Sequence, residues 1–291
     1  MRDVTVAKDG LLARKTGDYA REKLDWLEEY FRAALSATTK KLDRAYVDLF
    51  AGPGVNLSGR LEFEGSPLRA LRARGGGQRG PAFTEAFLVN ADLAQHQALQ
   101  KRVSHLVERG ESTVSSDKTT LIHGDANLEI SGIMQRLHSD AYVFVFADLE
   151  RPSQFPWKSV EALKAHGHSS VDFYVLFPLE MGIRRRLPYS TGHVLGGGAD
   201  LTAFFGTDEW KRILSDRTTG SQSPQFHRGI TQLYCAQLQK HWDSAKPVLE
   251  VNLRGQHGLY RMLFATSHEA AERISTAVAR KMKEKGQLKL L

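Results

Sequence analysis

The sequence predicts an α/β fold, a doubly wound, mostly parallel sheet covered by helices on both faces. Three observations point there. Short apolar runs and amphipathic stretches alternate from about residue 45 to residue 178. The runs YVFVFAD and VDFYVLFP are apolar nearly throughout, as strands buried on both faces are. The chain also closes on a hairpin pattern followed by a capped amphipathic helix.

Taken in order, Leu24, Leu27, Tyr30, Phe31, Ala34 and Leu35 recur at helical spacing and predict a helix over 18–37. AYVDLFAGPG then reads as a buried strand that breaks at Gly52-Pro53-Gly54. FLVN (87–90), TLIH (120–123), YVFVFAD (142–148) and VDFYVLFP (171–178) read as further strands, with helices expected over 93–108, 127–138 and 157–166. Residues 187–245 break the alternation with helical stretches near 207–216 and 226–242, and read as a helical insertion or lid within a single domain spanning 1–291. PVLEVNL (247–253) and LYRMLFAT (259–266) form the terminal hairpin. Thr266 with Glu269 opens a last helix running to about 284.

Composition narrows the class. The 291 residues carry 40 Lys and Arg against 33 Asp and Glu, a net charge of +7 that is compatible with a polyanionic partner. The single cysteine, Cys235, excludes an intrachain disulfide framework and any cysteine-built metal site within one copy. No apolar run approaches the roughly 20 residues a membrane span needs, and charges interrupt the N-terminus where a signal peptide needs its apolar stretch. A soluble, cytoplasmic protein is expected.

Open parallel sheets bind ligands outside the carboxyl ends of their strands, so those ends hold the candidate residues. The first strand leads into Asp48-Leu49-Phe50-Ala51-Gly52-Pro53-Gly54. The glycines permit a sharp turn and close approach of a ligand. The acid in first place, and the missing third glycine, separate this pattern from the pyrophosphate-binding G-x-G-x-x-G. A ligand with an α-amino group and no phosphate, such as S-adenosylmethionine, suits it better, although a plain strand-to-loop turn needs the same glycines. After the second strand, Asn90 and Asp92 are equal candidates for ribose hydroxyls, and Asp92 also suits a helix N-cap. Asp125, in HGDAN, stands where an adenine amino group would be read or where the next helix needs its cap. Asp148, beyond the fourth strand, is the foremost catalytic candidate, as a base or a group that orients the acceptor. Glu150 is either a second such group or the ion-pair partner of Arg151. Past the fifth strand, Arg184, Arg185 and Arg186 suit phosphate contact or a solvated helix face.

REKLDWLEEYF (21–31), YVDLFAGPG (46–54), EGSPLRAL (64–71), HGDAN (123–127), FPWKSVEAL (155–163), VDFYVLFP with GIRR (171–185) and LYRMLFATSHEAAERI (259–274) together resemble the three-Cys-motif partner family, a branch of the class I S-adenosylmethionine-dependent methyltransferase-like Rossmann fold. The resemblance implies a seven-stranded sheet with its last strand antiparallel and a cofactor site at Asp48, Phe50, Gly52 and Gly54, with Asp125 near the adenine. It also implies a partner protein bearing three cysteines and an iron–sulfur centre. Two positions depart from the family pattern: Asn90 replaces an acid, and Asp148-Leu149-Glu150-Arg151 replaces Asp-Pro-Tyr-Gly.

Exclusions narrow the chemistry. C5-pyrimidine methylation commonly uses a cysteine nucleophile, and Cys235 lies far from every strand end. Exocyclic-amine methylation uses a proline and an aromatic that 148–151 lack. The eleven histidines are scattered without metal-ligand spacing. Methyl transfer to an oxygen or nitrogen acceptor, in nucleic acid or a nucleotide, is the expected activity; a non-catalytic partner subunit is the alternative.

Overall fold

The apolar runs become the strands of one seven-stranded sheet. The computed structural model describes residues 4–183, 198–215, 224–251 and 260–284. The strands are β1 (Val4–Val6), β2 (Leu12–Lys15), β3 (Arg44–Asp48), β4 (Val55–Ser58), β5 (Leu61–Glu64), β6 (Glu85–Asn90), β7 (Thr119–His123), β8 (Tyr142–Ala147), β9 (Val171–Phe177), β10 (Ser244–Val251) and β11 (Tyr260–Thr266). The helices are α1 (Tyr19–Ala37), α2 (Ser66–Arg72), α3 (Leu93–Glu108), α4 (Ala126–Arg136), α5 (Trp157–Lys164), α6 (Gly198–Phe205), α7 (Glu209–Ser215), α8 (Pro224–Leu238) and α9 (Glu269–Glu284).

The large sheet runs β10-β11-β9-β8-β3-β6-β7. Its β7, β6, β3, β8 and β9 are mutually parallel, and β11 lies antiparallel to both β9 and β10. This is the doubly wound, mostly parallel fold class expected, with the last strand antiparallel. The chain moves outward from β3 through β6 to β7, then returns to β3's other side for β8. That reversal makes the carboxyl end of β3 the switch point of the sheet.

The two faces differ in chemistry because side chains alternate along each strand. Ala45, Val47, Val143 and Val145 point to one side and pack with α4, α5 and the α6–α8 segment. Tyr46, Phe144, Phe146 and Tyr174 point to the other and pack against α1 and α9. There Trp26 stacks on Tyr30 and Tyr174, with ring centroids at 5.0 and 4.3 Å. Phe204 and Tyr234, from α6 and α8, stack at 4.6 Å and share the core of the first face. Helices were expected near 207–216 and 226–242; the described ones cover 198–205, 209–215 and 224–238. Gly198 therefore lies inside a helix, not in the break that GGGAD suggests.

A second sheet, β1-β2-β4-β5, has no counterpart in the sequence reading. It pairs an N-terminal hairpin with the segment that follows the glycine turn, β2 lying parallel to β4. The N-terminus is thereby laid across the carboxyl edge of the large sheet, where it supplies the site with a residue.

Candidate functional site

Parallel pairing brings the ends of β3, β6, β7 and β8 to one edge, so that Asp48, Asn90, His123 and Ala147 share it. Beyond β3 the chain turns with φ of 65° at Gly52 and 87° at Gly54, left-handed values that suit glycine. The two glycines do different work. A Cβ at Gly52 would meet only Gln95 Oε1 at 3.8 Å, leaving the space above it open to a ligand. A Cβ at Gly54 would come within 2.9 Å of Leu99 Cδ1, so that glycine lets α3 pack close.

Asp48 is fully buried and faces inward. Its Oδ2 accepts from Tyr46 Oη at 2.8 Å and Ser66 Oγ at 2.6 Å, and its Oδ1 from Phe50 N at 3.2 Å. Burial pushes its carboxyl up to about 6, against the pull of those three donors. Asn90 is buried too, and exchanges two hydrogen bonds with Gly52: Gly52 N donates to Oδ1 at 2.7 Å and Nδ2 donates to Gly52 O at 2.9 Å. The amide thus clamps the glycine turn to β6, a task an acid could perform only by half.

Asp148 lies just past β8, 4% exposed, with both oxygens held by cations. Lys23 Nζ donates to Oδ1 at 2.5 Å, and Arg14 Nη1 donates to Oδ2 at 2.7 Å. The other guanidinium nitrogen of Arg14 reaches Glu150 at 3.3 Å, so Glu150 pairs with Arg14 where Arg151 was the expected partner. Gln154 Oε1 accepts from the backbone amides of Glu150 and Arg151. Arg102 ties this corner together. It makes a bidentate pair with Asp9 and donates through Nη1 to the carbonyls of Leu12 and Pro53, each at 2.6 Å. One buried guanidinium on α3 therefore joins the N-terminal hairpin to the glycine turn.

The remaining candidates stand further out. Asp92 and Asp125 are exposed N-caps, accepting from Gln95 N and Asn127 N respectively, each at 2.9 Å. Phe50 is half-buried and meets Phe155 edge to face. Arg184 and Arg185 lie outside the described residues. Arg14 and Lys23 are functional candidates that the sequence reading passed over. Lys23 had a signal: it stands on the apolar stripe of α1, in line with Ala20, Leu27 and Tyr30. Arg14 had none, since β2 is only four residues long. Among the described residues no group of three or more His, Cys, Asp or Glu is placed to hold a metal.

For S-adenosylmethionine the donor set is complementary: two cations for a carboxylate, two carboxylates for an ammonium or hydroxyl, and a glycine with open space for close contact. The hollow that Arg14, Lys23, Gly52 and Asp148 share measures about 20 Å³ in this conformation. That is room for one water, whereas small-molecule sites run to roughly 300–1,000 Å³. The ion pairs of Arg14 and Lys23 with Asp148 occupy the space that a larger ligand would need.

No family model matches the sequence, and no curated protein does. Among solved structures, this chain is similar to protein LPL1258 of Legionella pneumophila, of the DUF519 family, at 10% identity and a TM-score of 0.49 over 89% of this chain and 91% of that one. Spermidine synthase from Thermotoga maritima aligns at 9% identity and a TM-score of 0.44, over 97% and 79%. Trm1 from Pyrococcus horikoshii, in complex with S-adenosyl-L-methionine, aligns at 12% and 0.43, over 93% and 62%. At these values they stand as distant likenesses, and the strand order above defines the fold without them.

Proposed function

We propose that this chain is an S-adenosylmethionine-dependent methyltransferase of the three-Cys-motif partner type, acting on an oxygen or nitrogen acceptor in nucleic acid or a nucleotide. The observation that carries the reading is the Arg14–Lys23–Asp148 cluster beside the Cβ-free Gly52 turn at the sheet's switch point. Its charges complement the amino-acid end of that cofactor, and the turn suits its sulfonium nucleoside. When bound, the cofactor supplies an electrophilic methyl group. Arg14 and Lys23 hold its carboxylate, and in doing so leave Asp148 to accept a hydrogen bond from the acceptor. The ion pairs of the closed site thus keep Asp148 covered until the donor arrives. Asp48 stays buried as the anchor of the turn, held by Ser66 and Tyr46. Asp92 and Asn90 would serve the ribose, Asp125 the adenine, and Glu150 the acceptor side of the site. The net charge of +7 favours a phosphate-bearing acceptor, with Arg184 and Arg185 its expected contacts.

The test is transfer of tritium from labelled S-adenosylmethionine to RNA, DNA, nucleotides and cell extract. Label should appear in one acceptor class, and Asp148→Asn should abolish it. Transfer that survives this change would remove Asp148 from the chemistry.

A second reading has an observation of its own. The 20 Å³ hollow and the amide clamp at Asn90 suit a subunit that keeps the fold but works by binding a three-cysteine iron–sulfur protein. Stoichiometric capture of one such protein, with no label transferred to any acceptor, would favour it.

A further inference from the structure

A separate cavity lies at the opposite, amino edge of the sheet, where the reading above places nothing. It measures about 610 Å³ and lies between the last turns of α1, the loop into β3, the starts of β8 and β9, and the first turns of α9. Ala34, Ala37, Ala271 and Ile274 give it apolar walls, and Asp172 lines it.

Asp172 is the anomaly. It is the second residue of β9, fully buried in an otherwise apolar strand. Its Oδ2 accepts from Tyr30 Oη at 2.6 Å and from Tyr142 Oη at 2.9 Å. Its Oδ1 has no hydrogen-bond partner. Burial pushes the carboxyl up, and the nearby Thr266 hydroxyl, whose oxygen accepts from His268 N and whose proton is free to turn toward Asp172, helps hold it down. Among the described residues no lysine or arginine pairs with it. The other two buried aspartates are provided for, Asp48 by three donors and Asp148 by two cations. Buried carboxylates without such provision are costly and rare. On the cavity rim Lys40 and Lys41 are matched in formal charge by Asp43 and Asp140, and His268, whose charge bears on Asp172 when it is protonated, lines the cavity as well.

We propose that this amino-edge cavity binds a small organic ammonium ion with an apolar body, its positive charge set against Asp172. The volume falls within the range of small-molecule sites. The alanine and isoleucine walls suit an aryl or branched alkyl group, and the two tyrosine rings flank the head group. An anion would meet an uncompensated carboxylate, and a neutral alcohol would gain the walls but not the charge.

The probes are phenethylamine, its neutral isostere 2-phenylethanol and the anion phenylacetate, titrated at pH 8, above the range in which imidazoles titrate. Binding is followed by thermal shift and by amide chemical shifts of the full chain. The amine is expected to bind at least about tenfold more tightly than the alcohol, a margin one charge contact readily supplies, and phenylacetate not at all. Shifts should cluster at residues 34–42 and 268–274. Asp172→Asn, which keeps shape and acceptors for both tyrosines, should equalise amine and alcohol. Equal binding to the natural chain, shifts centred on Gly52 and Asp148, or an amine preference that survives Asp172→Asn would each overturn the proposal. So would silence at about 10 mM amine, a concentration at which even a millimolar site is mostly filled. If Asp172→Asn fails to fold, the ratio of amine to alcohol and the map of shifts on the natural chain decide alone.

Discussion

The two edges of the sheet each carry buried aspartates, and they treat them in opposite ways. At the carboxyl edge Asp148 is wrapped by Lys23 and Arg14, and the adjoining hollow is closed to about 20 Å³. At the amino edge Asp172 has two tyrosine hydroxyls on one oxygen and the Thr266 hydroxyl nearby, and borders a cavity of about 610 Å³. The difference teaches that burial alone does not mark a working carboxylate. What distinguishes the two is where the compensating charge comes from: the chain supplies it at one edge and leaves it to be supplied at the other.

The sharpest way to break that contrast is to neutralise each acid in turn. Asp148→Asn leaves buried Lys23 and Arg14 facing an amide, and removing one member of a buried ion pair costs about 3–5 kcal/mol. Asp172→Asn removes a charge that no described lysine or arginine pairs with, so it should cost less than about 1 kcal/mol. Urea unfolding of the two variants beside the natural chain measures both. Equal losses would show that the amino-edge acid is compensated after all.

Asp48 predicts the next effect, through pH. Its carboxyl rises from 3.8 to about 6 on folding, which at 1.36 kcal/mol per pH unit amounts to about 3 kcal/mol. The native chain holds this proton more tightly than the unfolded one. Stability from this group is therefore complete below about pH 4, is lost as pH climbs to about 6, and changes little beyond. The difference in unfolding free energy between the natural chain and Asp48→Asn, followed from pH 4 to 7, should change by that amount in that direction.

Smaller effects separate the two glycines. Gly54→Ala combines a left-handed backbone with a 2.9 Å approach to Leu99, and Gly52→Ala carries the backbone strain alone. We expect about 1 kcal/mol for Gly52→Ala and a larger loss for Gly54→Ala, by thermal unfolding. The smallest change is Glu150→Gln. That carboxylate is part-exposed and Arg14 keeps its bond to Asp148, so stability should fall by less than about 1 kcal/mol.

Much of this was legible in the sequence. Continuous apolar runs marked β8 and β9, the Thr266–Glu269 signal marked the start of α9, and DLFAGPG marked the turn at the switch point. The small sheet was not legible, because strands of three or four half-buried residues carry too little periodicity to register. The site was half legible. Strand-end acids announced themselves, but their partners did not, since Arg14 comes from a short strand and Lys23 from a helix read for its apolar residues. A better signal was available at three places. Lys23 on the stripe of α1, Arg102 among Leu99, Val103 and Leu106 on α3, and Asp172 within VDFYVLF are all charges set where the pattern demands apolar side chains. Each became a buried, structurally consequential group.

The most direct measurement of the central claim is calorimetric titration of S-adenosylmethionine and S-adenosylhomocysteine into the natural chain and into Lys23→Met. Micromolar binding to the natural chain, weakened at least about tenfold in the variant while its unfolding midpoint stays high enough for a folded sample, is the predicted result. Absence of heat at about 1 mM of either ligand, or equal affinity in Lys23→Met, would contradict the account: the cluster beside Gly52 would then be a structural latch and nothing more.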